Sequence, residues 1–181
     1  MNKAMIRKAV MADLDAVDRL YNELHDAKEA GVIPVIWRRG IYPSRETALE
    51  ALERDDLFVL EKDGRIIGSA VINQIQDDVY AGAPWQYDVP DDKVCVLHTL
   101  MISPAEFGKG YARAFIGFYE SYAKEHGCTE LRIDTNDRNF PAQAMYLRHG
   151  FQKIGTVPAK VFNGIMDISL VLLEKHLDLH K

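Results

Sequence analysis

Residues 98–113 constrain this chain more than any other stretch. An apolar run, Val94–Ile102, meets Pro104 and then a turn, Phe107-Gly108-Lys109-Gly110-Tyr111. Beyond it, Ala112, Phe115, Tyr119 and Tyr122 recur at helical spacing. Strand, turn and helix in that order leave several backbone N–H groups unpaired at a helix N-terminus, where they can hold a phosphate or pyrophosphate. Glycines at 108 and 110 allow a ligand to approach the backbone closely and tolerate positive φ. A Gly-x-Gly pair alone is also a common plain turn. This one lacks the Gly-Lys-Ser/Thr ending of a nucleotide phosphate loop.

The rest of the chain supplies elements to surround that segment. Met5–Val10 reads as a short strand. Asp13 reads as the N-cap of a helix with Leu14, Val17, Leu20, Tyr21 and Leu24 on one face. Gly31 and Pro34 break that pattern, and Trp37–Pro43 is irregular. Ser44 reads as the N-cap of a second short helix; Thr47 stands where a full capping box has Glu or Gln, so half a box is expected. Leu57–Glu61 and Arg65–Ile72 flank Asp63-Gly64, a hairpin signal. Gln76–Lys93 reads as an acidic loop and Lys109–His126 as a helix ended by Gly127. Leu131–Asp134 is a strand, Pro141 suits the first turn of a helix to about Arg148, and Phe151–Ile154 and Ile165–Leu173 complete the strands. Helices interleaved with a mixed sheet make an α/β (α+β) fold.

A chain of 181 residues with 48% apolar and 27% charged residues fits one globular domain spanning 1–181. The net charge of −5 argues against nucleic acid or a membrane surface as partner. Cys95 and Cys128 read as reduced thiols of an intracellular protein. Met1–Val10 lacks the apolar core of a signal peptide and no apolar run approaches the length of a membrane span, so a soluble cytoplasmic protein is expected. Of His25, His98, His126, His149, His176 and His180, only His176 and His180 are spaced like metal ligands. No third ligand stands near them, so no metal is expected.

About thirty residues after the turn, Asn139, Ala142, Met145, Tyr146, Gly150 and Phe151 form a second motif. Together the two segments resemble the GNAT superfamily of acyl-CoA-dependent N-acetyltransferases. The resemblance runs from Ile6 to about Leu173 and is most specific between Leu97 and Phe151. The family's phosphate loop reads Gln/Arg-x-x-Gly-x-Gly/Ala. Gly110-Tyr111-Ala112 match its end, while Phe107 stands where Gln or Arg is usual. The second family motif, Asn-x-x-Ala-x-x-Leu-Tyr-x-x-x-Gly-Phe, aligns without a gap, with Met145 in place of leucine.

The resemblance implies a mixed, mostly antiparallel central sheet, its fourth and fifth strands splayed, flanked by helices. It implies acetyl-CoA as co-substrate and a primary amine of a small molecule or peptide as acceptor, and it admits a homodimer. It puts pyrophosphate on the N–H groups of Gly108, Lys109, Gly110, Tyr111, Ala112 and Arg113, pantetheine beside Leu100, Ile102 and Asn139, and the oxyanion on the N–H of Met101 or Ile102. Tyr146 is the implied general acid, since a phenol of pKa about 10 keeps its proton at neutral pH. His98 reads either as the base or as a core or pocket-shaping histidine. The acceptor side falls to Trp37, Arg38, Arg39, Tyr42, Trp85 and Tyr87. Either arginine could fork onto a substrate carboxylate. Asp77, Asp78, Asp88, Asp91 and Asp92 could instead attract a cationic amine, or form a merely solvated loop. Neither cysteine carries a motif for a covalent route, so direct attack is expected. The alternative is a catalytically silent acyl-CoA-binding regulatory module, which Phe107 favours and the Asn139–Tyr146 segment disfavours.

Overall fold

The computed structural model describes residues 4–164 and 166–178. In chain order its elements are β1 (Met5–Lys8), α1 (Leu14–Glu29), α2 (Arg45–Glu53), β2 (Leu57–Lys62), β3 (Arg65–Asn73), β4 (Val94–Ile102), α3 (Tyr111–Glu125), β5 (Glu130–Asn136), α4 (Phe140–Arg148), β6 (Gln152–Val161) and β7 (Met166–His176). The hydrogen-bonded strand order is β1-β2-β3-β4-β5-β7-β6. The β1–β2, β2–β3, β5–β7 and β6–β7 ladders are antiparallel and β4–β5 is parallel, which is the mixed α/β sheet expected from sequence. Two compact units divide the chain, the first running to Ile72 and including His98–Phe118, the second comprising Asn73–Leu97 and the residues from Tyr119 onward.

In the first unit the helical stripe Leu14, Val17, Leu20, Tyr21 and Leu24 is buried with Ala48 and Ala51 of α2, Leu57 and Val59 of β2, and Met101 of β4. Asp13 stands at the N-cap position of α1, as expected, but its side chain makes no cap bond there. It ends a short 3-10 turn in helical geometry, and its carboxylate accepts from Val10 N at 2.9 Å and from Arg7 at 2.7 and 3.0 Å. Ser44 does cap α2, and the box is whole: Ser44 Oγ accepts from Thr47 N at 3.3 Å while Ser44 N donates to Thr47 Oγ1 at 2.9 Å. A threonine hydroxyl therefore serves where Glu or Gln is usual. Asp63 and Gly64 both have positive φ, 50° and 73°, as a tight β2–β3 hairpin requires.

Gly68 marks a close approach inside this unit. A Cβ there would lie 2.9 Å from Ile102 Cδ1, 3.1 Å from Met101 O and 3.3 Å from Leu60 Cβ. Two of these neighbours cannot swing away, so Gly68→Ala should cost about 1–3 kcal/mol as overpacking. A melt should show it as a drop of roughly 2–4 °C for each kcal/mol.

In the second unit β7 is flanked by β5, from Glu130↔His176 to Asn136↔Leu170, and by β6, from Gln152↔Glu174 to Val161↔Met166. Val94, Val96, Leu170 and Leu172 form one apolar face, covered by Tyr80 and Trp85 from the 74–93 loop. At β4 and β5, Tyr119 of α3 donates to Cys95 O at 2.5 Å and lies 3.2 Å from Arg132 O. Helix α3 ends where Gly127 takes φ 72° and Cys128 N donates to Ala123 O, a Schellman-type stop. The expected strand Phe151–Ile154 is in fact Gln152–Val161, since Gly155 sits at a register shift and Pro158 is tolerated on an edge strand. Ile165 and His180, on which two sequence readings fell, lie outside the described residues.

Candidate active site

The parallel β4–β5 ladder comprises three pairs, Val94↔Glu130, Cys95↔Leu131 and Val96↔Arg132. Yet β4 continues to Ile102 and β5 to Asn136. No further pair of this ladder follows Val96 and Arg132 among the described residues. Thr99, on this stretch of β4, has φ 53°, a strained value for a β-branched residue. A local reversal of this kind re-aims the side chains around it, so simple alternation could not assign a face to His98. The Tyr42 hydroxyl bonds to Thr99 Oγ1, which ties the 37–43 segment to β4. His98, Thr99 and Leu100 are half-buried, while Met101 and Ile102 are buried.

The glycine turn follows a 3-10 turn at Pro104–Glu106. Gly108 and Gly110 have φ 76° and 84°, and a Cβ on either would meet nothing within 4 Å. Those positive values also delay the helix to Tyr111 from the expected Lys109. Ala114 N is the first N–H of this helix to find a backbone acceptor, Gly110 O at 3.0 Å. The N–H groups of 108–113 donate to no acceptor among the described residues. Open space, positive φ and unpaired donors at the start of a fifteen-residue helix suit a diphosphate. Charge balance agrees. The Glu106 carboxylate is held below its usual range by Lys109 Nζ at 3.1 Å and by Lys62 Nζ at 3.3 Å, leaving a net positive turn. Arg113 is exposed, and Phe107, 43% exposed, offers no polar group.

The second motif lies in the second unit. Asn139 Oδ1 accepts from Ala142 N at 3.3 Å, so this asparagine caps α4, with Pro141 in the first turn. Tyr146 is 6% exposed and packs edge-on against Phe151 at 5.8 Å. Its hydroxyl makes no hydrogen bond among the described residues. Burial, and then the charge of Asp134, raise its pKa, so the phenol is held protonated. Asp134 itself accepts from the Tyr80 hydroxyl at 2.6 Å. Burial pushes its carboxyl up to about 6, with the Tyr80 bond opposing and Asp77 adding a further push. Sequence reading missed this pair because Tyr80 lies in a loop that reads as solvated.

The remaining candidates are more dispersed. Trp37 packs on the apolar cluster of the first unit. Arg38 is exposed, and Arg39 is tied to α1 through Asp26 at 2.5 Å and Glu29 at 2.9 Å. Trp85 donates from Nε1 to Tyr80 O at 2.9 Å and lies under the Arg132 guanidinium at 4.2 Å. Tyr87 stacks on His176 at 4.4 Å. Asp77 accepts from Val79 N, and Asp91 accepts from the Gln76 amide. Cys95 and Cys128 are free and buried, and burial pushes both thiols up, away from the thiolate a nucleophile needs. No group of three or more potential metal ligands, and no helix long and apolar enough to cross a membrane, occurs among the described residues.

The parallel ladder stops after three pairs, and β4 runs on through a 3-10 turn into the open glycine turn. The sequence matches the family model described as Acetyltransferase (GNAT) family over residues 17–151, and the chain belongs to that family. It is 23% identical over 113 residues to N-acetyltransferase family 8 member 2 of Rattus norvegicus, covering 62% of this chain and 46% of that protein. The chain thus spans about half the length of that curated relative. A Staphylococcus aureus Mu50 structure assigned to the acetyltransferases has 28% identity and a TM-score of 0.70, with 96% of this chain and 99% of that chain covered. A Salmonella typhimurium structure solved with its cofactor acetyl-CoA has 20% identity and a TM-score of 0.69, with 99% and 96% covered.

Proposed function

We propose that residues 1–181 act as one acetyltransferase domain that moves acetyl from acetyl-CoA to a primary amine of a small molecule or peptide by direct attack. The observation that carries this reading is the run of unpaired N–H groups at 108–113, in a chain of the GNAT family. When bound, acetyl-CoA supplies an acetyl group activated as a thioester. Gly108, Lys109, Gly110, Tyr111, Ala112 and Arg113 hold its pyrophosphate, and Leu100 and Ile102 of β4 pair with pantetheine. Asn139 borders that ligand through the first turn of α4. The N–H of Met101 or Ile102 polarises the acetyl carbonyl. Tyr146 gives its proton to the departing sulfur, and His98 stands on β4 as a candidate to receive the amine proton or to shape the acceptor pocket. Trp37, Tyr42 and Trp85 are assigned to the acceptor side, with Tyr42 reaching Thr99. Two free buried thiols support a reducing, cytoplasmic setting.

The test pairs binding with turnover. Calorimetry should give micromolar binding of acetyl-CoA and CoA, and thiol release should be measured over spermidine, lysine methyl ester and an alanyl peptide. Turnover with any of these amines supports the transferase. Tight binding with no thiol release from the whole panel favours a silent acyl-CoA-binding module instead.

A further inference from the structure

We propose that Asp134, held by the Tyr80 hydroxyl, is a catalytic proton acceptor for the amine that this protein acetylates. The assignment rests on the transferase reading above and deepens it. Position comes first. Strand β5 has no parallel pair after Arg132, and Asp134, two residues on, is the next residue on Arg132's face. Orientation comes next. Tyr80 occupies Oδ2 at 2.6 Å, while Oδ1 has no hydrogen-bond partner among the described residues and Asp134 keeps accessible surface. Finally, Asp134 is near enough to Tyr146 for its charge to act on that phenol. A proton acceptor and a proton donor thus share one neighbourhood.

The groups around Asp134 favour this use. Tyr80 and Asp77 face it from the loop and Tyr146 from α4, while Tyr119 of α3 acts on Tyr80. Its cross-strand partner on β7 is the apolar Leu172, and Arg132 stands two residues before it on β5. Raising an aspartate from 3.8 to about 6 increases its proton affinity roughly a hundredfold, yet leaves it ionised at neutral pH. That is the range in which a general base works well. Asp77 adds negative charge beside it, so the site suits a cationic amine and disfavours a carboxylate next to the reacting nitrogen.

The protons balance. The acceptor arrives as an ammonium ion and passes one proton to Asp134, which frees the nitrogen lone pair. As the N–C bond forms and the C–S bond breaks, the sulfur takes the Tyr146 proton. The nitrogen's second proton returns to Tyr146. Asp134 then releases its proton to water, one for each amide made.

The experiment measures kcat/KM for thiol release from pH 5 to 9, with the amine panel above, for the full chain and for Asp134→Asn, Tyr80→Phe and His98→Gln. A 13C-NMR titration of the aspartate carboxyl carbons in the free protein gives a readout without turnover. The base must be ionised, so wild-type kcat/KM should rise with pH through about 6. Asp134→Asn should lose that limb and fall by about 10²-fold or more at pH 7.5, with acetyl-CoA affinity unchanged. The Asp134 carbon should titrate near 6 and move upward in Tyr80→Phe, because the lost hydrogen bond had favoured the anion. If Asp134→Asn does not fold, Tyr80→Phe carries the same test through an upward shift of the limb. A limb that survives in Asp134→Asn, or disappears in His98→Gln alone, overturns the assignment and leaves the transferase reading standing. An Asp134 carbon titrating near 4 also overturns it. A wild type inactive on every amine overturns the transferase reading and the assignment with it.

Discussion

Replacing Tyr146 by phenylalanine is expected to lower turnover by roughly 10²–10⁴-fold, the span general acid catalysis usually covers, without weakening CoA binding. Phenylalanine keeps the edge-on packing against Phe151, and the hydroxyl it lacks makes no hydrogen bond among the described residues. Removing that hydroxyl therefore leaves no buried partner stranded, and the fold should hold or gain slightly. What disappears is a phenol whose proton is retained by burial and by the charge of Asp134. Steady-state rates with calorimetric CoA affinities read the two effects separately. Equal turnover in the two proteins would remove Tyr146 from the mechanism. A parallel loss of affinity would mean that it only supports the ligand.

Gly110→Glu should cost most of the affinity for acetyl-CoA and CoA. Two penalties combine. At φ 84° a side chain carries a left-handed backbone cost of about 1–2 kcal/mol. The new carboxylate also opposes a diphosphate on neighbouring N–H groups and cancels the net positive charge that Lys62 and Lys109 leave around Glu106. Together they should raise Kd by about 100-fold or more, at about 1.4 kcal/mol per tenfold. Since no atom lies within 4 Å of the built Cβ, circular dichroism should show the fold intact. Wild-type affinity in this variant would move the phosphates elsewhere.

How far the sequence reaches can be judged residue by residue. Val94–Ile102 was legible to the residue, as an apolar run bounded by Lys93 and by Ser103-Pro104. The paired glycines and the Asn139–Phe151 spacing pointed to the family that the profile match bears out. Strand β6 was cut short because Gly155 and Pro158 punctuate a strand whose outer edge needs no N–H. The Thr47 box was half-read because a hydroxyl rarely stands in for Glu or Gln. The positive φ of Thr99 and the Tyr80–Asp134 bond were not legible at all. The first belongs to tertiary context, and the second joins residues 54 apart in the chain.

Tyr119 has a consequence for how such a protein can change. One phenol contacts the carbonyls of Cys95 and Arg132, on the last two rungs before β4 and β5 part. It acts as a rivet at the crotch of a fork. The point of branching is thereby set from α3, by a fully buried side chain. One phenol held by two carbonyls thus fixes where the ladder ends, whatever residues follow on either strand.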